Sequence, residues 1–166
     1  MVELRFLGGT GTVTGSKYLL RSGAASGLVD CGLFQGLKTL RLRNWAPPPV
    51  TPKDVDAVML THAHLDHSGY LPRFLKQGFA GPVHASPGTR DLFGILLPDS
   101  GYLQEEEARY ANKRNFSKHK PALPLYTEDD ARQSLKSFSP TPFGKETALA
   151  GEFRLSLQPA GTCASS

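Results

Sequence analysis

The most constraining feature of the sequence is a run of four potential metal ligands within six residues, His62-x-His64-x-Asp66-His67. The run follows residues 55–60, an apolar stretch with β-branched members that predicts a buried strand. Imidazole nitrogen and carboxylate oxygen are suitable ligands for first-row metals, and zinc accepts both. In extended or turn backbone, His62 and His64 project in the same direction and can bind one ion. Asp66 and His67 follow a bend, where they can face a second ion nearby.

The alternative interpretation of this run is a polar loop in which histidines coincide by chance. The chain of 166 residues has only five histidines, and three of them lie in these six positions beside an aspartate, which favours a metal site. Ala63 and the turn at Ser68 and Gly69 allow the backbone to bend this tightly. Two ions at such short separation can hold a hydroxide between them and bind a phosphate or carbonyl oxygen.

The order of the predicted elements indicates a mixed α/β domain. Several strands precede the first clear helix pattern, so a sheet meander that continues into a layered fold fits better than a doubly wound repeat. The strand patterns cover residues 2–7, 17–21, 27–30, 55–60, 83–85 and 152–157, and the helix patterns cover residues 69–78, 87–97, 100–114 and 127–138.

The composition narrows the class of protein. The chain is 39% hydrophobic and 20% charged, which is typical of a globular domain, and no apolar run is long enough to predict a membrane span. The first sixteen residues lack the pattern of a signal peptide, so we expect a cytoplasmic protein. Cys31 and Cys163 form no CxxC pair, which argues against a disulfide framework and a thiolate zinc site. The net charge of +4 permits an anionic partner without requiring one.

The residues around the ligand run carry a resemblance to a known family. The stretch Thr61-His62-x-His64-x-Asp66-His67, which comes after Leu28-Val29-Asp30-Cys31-Gly32, resembles the metallo-β-lactamase superfamily. Further segments are similar to the β-CASP branch of that superfamily, which contains RNA-processing nucleases. These segments are residues 11–16, 29–36, 97–100, 104–108 and 125–131, and the resemblance extends from about Val2 to Gly161.

The resemblance implies an αββα sandwich with two zinc ions at the sheet edges. This chain would form only the N-terminal part of that sandwich. His62 and His64 would bind the first zinc ion, and Asp66 and His67 would bind the second. Asp66 and Asp30 would be the catalytic carboxylates. Asp30 would not bind metal itself but would orient a ligand histidine. The implied reaction is hydrolysis of RNA phosphodiester bonds, in which a hydroxide held by the metals attacks phosphorus.

The sequence departs from the family pattern near its end. The family has a histidine ligand after Ala160 and Gly161, whereas this chain has Thr162. A threonine hydroxyl is a poor zinc ligand beside imidazole. We therefore expect residues 1–161 to form the N-terminal part of the domain and residues 162–166 to be a non-matching tail. The first site would lack a ligand and the chain would be inactive by itself.

Two explanations for the tail stay open. Loss of one C from the codons GGC CAC changes Gly-His to Gly-Thr, so a frameshift would explain the departure. Plain truncation with natural divergence is the alternative. Cys163 could also act as a substitute thiolate ligand, which is the weakest of these interpretations.

A basic run with aromatic neighbours follows the zinc motif. Residues 109–120 carry five cations, no acid, and the aromatic residues Tyr110 and Phe116. Such a mixture can contact phosphates and stack on bases, which makes Arg109, Lys113 and Arg114 candidate RNA-binding residues. The alternative is a solvated helix face.

Three functions are therefore open to this sequence. The leading interpretation is a metal-dependent ribonuclease that uses two zinc ions and binds RNA without a membrane partner. A thioester or lactam hydrolase of the same fold is the second interpretation, and a non-catalytic RNA-binding or scaffold relative is the third. Bound zinc would argue against the third, because a scaffold does not need it.

Overall fold

A six-stranded sheet forms the centre of the fold, as seen in a computed structural model that describes residues 1–115 and 120–160. The first three strands form an antiparallel meander, and the later strands add in parallel. In spatial order the sheet consists of β1 (Val2–Gly8), β2 (Lys17–Ser22), β3 (Ala25–Val29), β4 (Ala57–Met59), β5 (Val83–Ala85) and β6 (Phe138–Pro140). A separate antiparallel hairpin consists of β7 (Glu146–Ala148) and β8 (Arg154–Ser156).

The helices lie in the connections between the parallel strands. Each parallel step needs a crossover connection, which explains why helices separate β3, β4, β5 and β6. They are α1 (Lys38–Leu42), α2 (Leu65–Ser68), α3 (Leu71–Lys76), α4 (Pro87–Arg114) and α5 (Glu128–Ser134), with single 3₁₀ turns at Pro52–Asp54 and Leu135–Ser137. No helix in the described ranges is long and apolar enough to cross a membrane.

The core lies between one face of the sheet and the helices. Leu28, Val58 and Val83 on three adjacent strands are fully buried, and they belong to one apolar cluster with Phe74 of α3 and Phe93 of α4. Burial of these apolar side chains is the main stabilising contribution to such a fold. The core therefore holds β3 and β4 side by side, which fixes where the segments that follow them begin.

Helix α4 differs from the sequence prediction. The patterns at residues 87–97 and 100–114 predict two helices, but the structure has one helix of 28 residues with Pro98 inside it. Proline removes the hydrogen bond to the carbonyl four residues earlier, which is that of Gly94. Gly94 is exposed, so water can satisfy this carbonyl. Ser86 caps the start of the helix, because its side chain accepts the Thr89 amide.

The helix at residues 127–138 was also predicted longer than it is. Its start is confirmed, because Thr127 accepts the Asp130 amide while the Asp130 carboxylate accepts the Thr127 amide, which is a capping box. Its end was wrong, because Phe138 belongs to β6 and pairs with Val83. A three-residue strand at the sheet edge has too few residues to show an alternating pattern, which is why the sequence missed it.

Candidate metal centre

The candidate ligands lie at one edge of the sheet, where β3 and β4 both end. These strands are parallel and in register, with Val29 opposite Met59, so Asp30 and Thr61 leave the sheet at the same edge. Asp30 is buried, and its carboxylate accepts hydrogen bonds from the Thr61 amide at 2.9 Å and from the Thr61 hydroxyl at 3.0 Å. These bonds join the two strand ends directly before His62.

His62 and His64 form the first donor pair. The distance from His62 Nε2 to His64 Nδ1 is 3.1 Å, and their ring centroids are 4.6 Å apart. The ring of His67 lies 4.1 Å from that of His62. Burial lowers the pKa of His62, and the neighbouring His67 and His64 rings lower it further. The neutral imidazole that results has the lone pair that a metal ligand needs.

Asp66 and His67 form the second donor pair on the single turn of α2. The distance from His67 Nε2 to Asp66 Oδ2 is 3.6 Å. On the other side of the ring, His67 Nδ1 lies 2.7 Å from Asp30 Oδ2, and this hydrogen bond raises the pKa of His67. In neutral His67, an Nδ1–H that donates to Asp30 leaves the lone pair of Nε2 on the side of Asp66.

The donor set is compatible with zinc. Two ligands of one tetrahedral zinc ion lie roughly 3.3 Å apart when each bond is about 2.0 Å long. The two pairs have separations of 3.1 Å and 3.6 Å, close to this value. Within residues 1–115 and 120–160, no group of three or more His, Cys, Asp or Glu side chains is placed to hold one ion. The arrangement is therefore two pairs of donors rather than one complete cluster.

The backbone of the α2 turn is attached to the segments next to it. Three amides donate to carbonyls of the turn at 2.7–2.9 Å, namely Cys31 to His67, Leu33 to Leu65 and Ser16 to Asp66. Gly32 packs so closely that an added Cβ would overlap the Asp66 carbonyl. This attachment could not be predicted from the sequence. Its only signal was the motif Asp30-Cys31-Gly32, because a close approach between distant segments has no local pattern.

The basic candidates lie at the C-terminal end of α4. Arg109, Lys113 and Arg114 are all exposed. Arg109 is paired with Glu106 at 2.6 Å, and the Arg114 guanidinium lies 5.7 Å from the centroid of the Tyr110 ring. The predictions on Phe116, Lys118, Thr162, Cys163 and the tail 162–166 lie outside the described residues.

A groove of about 720 Å³ is lined by residues of α1, of α4 and of the segment that follows β3. Leu65, which lies between the two donor pairs in sequence, lines it together with Tyr110 of α4, whereas none of the four candidate ligands does. Trp45, Lys38 and Arg41 line the groove, and the carboxylates of Asp99 and Glu107 also line it. The wall of the groove therefore offers aromatic rings and charges of both signs next to Leu65, the first residue of α2.

The comparison with protein families decides the classification. The model of the metallo-beta-lactamase superfamily matches residues 10–143, a range that contains both donor pairs and Asp30. This chain belongs to the metallo-β-lactamase superfamily. The predicted α/β fold class is thereby confirmed.

Two relatives of this chain have names that mention RNA chemistry or transcription. Ribonuclease TTHA0252 of Thermus thermophilus is 38% identical over 149 residues, which are 90% of this chain and 30% of the relative. Transcription termination factor FttA of Cenarchaeum symbiosum is 31% identical over 164 residues, which are 96% of this chain and 23% of the relative. The chain thus spans less than a third of the length of these relatives.

A solved structure supports the metallo-β-lactamase fold. The metallo-beta-lactamase SMB-1 in complex with mercaptoacetic acid has a TM-score of 0.51 at 19% identity, covering 91% of this chain and 48% of that one. At this identity the similarity concerns the fold alone.

Proposed function

We propose that this chain is the N-terminal part of a zinc-dependent ribonuclease of the β-CASP branch, which hydrolyses phosphodiester bonds of RNA. The single observation that carries the proposal is the arrangement of two donor pairs at the ends of β3 and β4. Each pair has a separation suited to one zinc ion. The identity of 38% to a ribonuclease supports RNA as the substrate.

The donor pairs have separate roles in this proposal. His62 and His64 would hold the first ion, and Asp66 and His67 would hold the second. When bound, a pair of zinc ions supplies a nucleophile at neutral pH and stabilises the charge that develops on the phosphate. The buried Asp30 carboxylate holds the His67 ring in one orientation and one tautomer through its hydrogen bond at 2.7 Å.

The groove and the basic end of α4 support a path for single-stranded RNA. Trp45 and Tyr110 offer partly exposed rings on which bases can stack. Lys113 and Arg114, which follow the groove residues Tyr110 and Ala111 on α4, can contact phosphates. Leu65, which is adjacent in sequence to His64 and Asp66, lines the same groove, so a strand bound there would lie near the candidate ligands.

A role in transcription termination is a second candidate. The 31% identity to FttA, over 96% of this chain, favours it. A lactam hydrolase is not favoured, because the similarity to SMB-1 concerns the fold alone. The non-catalytic RNA-binding alternative differs from the ribonuclease because it needs no metal, and bound zinc can be measured.

Zinc stoichiometry tests the proposal. The purified chain is loaded with Zn²⁺, desalted and measured by elemental analysis, together with Asp66→Asn and the matched control Asp91→Asn. Asp91 is an exposed carboxylate on α4, remote in sequence from the donors. We expect zinc in the wild type and the control, and loss of zinc in Asp66→Asn. Absence of zinc from the wild type would contradict the proposal.

A cleavage assay on end-labelled single-stranded RNA then tests whether the chain by itself hydrolyses RNA. Zinc-dependent cleavage that Asp66→Asn abolishes supports the ribonuclease. A zinc-loaded chain that binds RNA without cleaving it is the result expected if the N-terminal part is inactive by itself.

A further inference from the structure

Lys17, a buried lysine at the start of β2, has no role in the function proposed above. Its side chain lies inside the protein, with the residue only 6% exposed. Burial of an ammonium group is costly unless its charge is compensated. Among the described residues, no carboxylate lies within ion-pair distance of Lys17. Its compensation must come from other groups.

Three groups surround the ammonium. Nζ donates a hydrogen bond to the carbonyl of Gly32. It also lies 4.9 Å from the ring centroid of Phe34 and 4.6 Å from that of Tyr70. Both distances fall within the range of a cation–π contact, which is stronger away from water. The ammonium therefore connects the segment after β3 to Tyr70, which directly precedes α3.

The carbonyl that Lys17 binds belongs to the segment that holds the donor turn. On one side of Gly32, the Cys31 amide donates to His67 O at 2.7 Å, and on the other side the Leu33 amide donates to Leu65 O at 2.9 Å. Gly32 itself packs against the Asp66 carbonyl. A shift of this segment would therefore move the backbone of both Asp66 and His67.

We propose that Lys17 is a positioning residue for the second donor pair, acting through Gly32 rather than touching the metal or the substrate. The ammonium fixes the segment 31–33, and that segment fixes the α2 turn through its two amides. This inference rests on the function proposed above only for the identity of the ligands. The attachment of the turn can be tested without any metal.

Hydrogen exchange of the free chain provides the metal-independent test. Lys17→Met keeps a long apolar side chain but removes the charge and the donor. Hydrogen bonds to charged groups are the stronger ones, so we expect the Cys31 and Leu33 amides to exchange at least about tenfold faster in this variant. The reference amides are those of Val58 and Leu60, which donate to Pro82 and His84 in the sheet.

A matched control removes the effect of lower global stability. Val83→Ala shortens a fully buried side chain in β5, away from Lys17 in the sheet order. Because Val83 lies between Pro82 and His84, which accept the Val58 and Leu60 amides, this variant should accelerate exchange of these two amides at least as much as that of Cys31 and Leu33. If Lys17→Met does not fold, Phe34→Leu removes one ring from the ammonium, and we expect it to accelerate the Cys31 and Leu33 amides about threefold relative to the reference amides.

Zinc affinity, measured in competition with a chromophoric chelator, is the second readout. We expect Lys17→Met to weaken zinc binding at least about tenfold, because loss of residues that support metal ligands has effects of this size in other metal sites. Val83→Ala should change zinc affinity less than about twofold. Equal acceleration of all four amides in Lys17→Met would overturn the inference. So would faster exchange with unchanged zinc affinity. A wild type that binds no zinc would instead remove the proposed function, and the exchange ratios would then decide on Lys17 by themselves.

Discussion

The Asp30 carboxylate and the His67 imidazole share a hydrogen bond of 2.7 Å that joins the end of β3 to the turn of α2. Asp30 has a φ of 59°, a left-handed conformation that aspartate and asparagine adopt more readily than most residues. The same carboxylate accepts the Thr61 amide at 2.9 Å. One buried side chain therefore orients a candidate ligand and holds the strand end that precedes His62.

Replacement of Asp30 by asparagine should weaken zinc binding without unfolding the chain. Asparagine fits the left-handed backbone and can still accept the Thr61 amide, but it lacks the charge that orients His67. We expect affinity for Zn²⁺ to fall about 10- to 100-fold, as measured by chelator competition. Asp56→Asn is the control, because Asp56 also accepts a backbone amide, that of Ser26 at 2.8 Å. Equal affinities in the two variants would show that Asp30 does not support the site.

Gly32→Ala should destabilise the protein, because the new methyl group would overlap the Asp66 carbonyl. Overpacking of this kind typically costs about 1–3 kcal/mol, and we expect a loss at the upper end in the free energy of unfolding. Gly94→Ala is the matched control. Gly94 is a helical glycine with open space around it, so alanine there should stabilise the protein by about 0.5–1 kcal/mol. Urea denaturation measures both variants, and a neutral Gly32→Ala would contradict the packing argument.

The free energy of unfolding should depend on pH through the shifted pKa values of Lys17 and Cys31. Burial lowers the pKa of Lys17 from 10.5 to about 8, so above pH 8 the unfolded chain binds more protons than the folded one and stability rises with pH. Burial raises the pKa of Cys31 from 9.0 to about 12, so above pH 9 the folded chain binds more protons and stability falls. The two contributions have opposite signs and nearly cancel above pH 9.

Urea denaturation at pH 7.0, 8.5 and 9.5 separates these contributions. In the wild type we expect the free energy of unfolding to increase up to about pH 9 and then to level off. Lys17→Met should abolish the increase, whereas Cys31→Ala should extend it beyond pH 9. A pH profile that neither variant changes would show that neither group has a shifted pKa.

The basic end of α4 should contribute to RNA binding through Lys113 and Arg114 more than through Arg109. Arg109 is already paired with Glu106 at 2.6 Å, so its charge is partly compensated. We expect Lys113→Gln and Arg114→Gln each to weaken binding of single-stranded RNA and to reduce the slope of log affinity against log salt by about 1. Arg109→Gln should have a smaller effect. Fluorescence anisotropy at several salt concentrations measures this, and unchanged slopes would indicate a solvated helix face.

The donor residues could be predicted from sequence because their spacing is local. His62, His64, Asp66 and His67 follow a strand that apolar residues identify, and the structure places them at the end of that strand. Their assignment as metal ligands stays a prediction. The family resemblance from the same segment agrees with the match at residues 10–143.

The support of the donors could not be predicted, because it depends on contacts between segments distant in sequence. Lys17 and Gly32 are 15 residues apart, and the pattern of β2 alone gives no reason to bury a lysine. The continuity of α4 through Pro98 was missed for a related reason. Local rules end a helix before proline, whereas buried residues on both sides, Phe93 and Leu97 before it and Gly101 after it, hold this helix together.

Because α2 is attached to the segments around residues 16 and 31–33, the geometry of the candidate metal centre depends on the folding of the strand ends beside it. A chain in which β2 and β3 have not yet docked beside β4 has the same six-residue motif but no support for its geometry. Zinc that binds only the docked state would shift the folding equilibrium toward it, by an amount that grows with free zinc concentration. The midpoint of thermal unfolding, followed against zinc, would then report how completely this edge of the sheet is assembled.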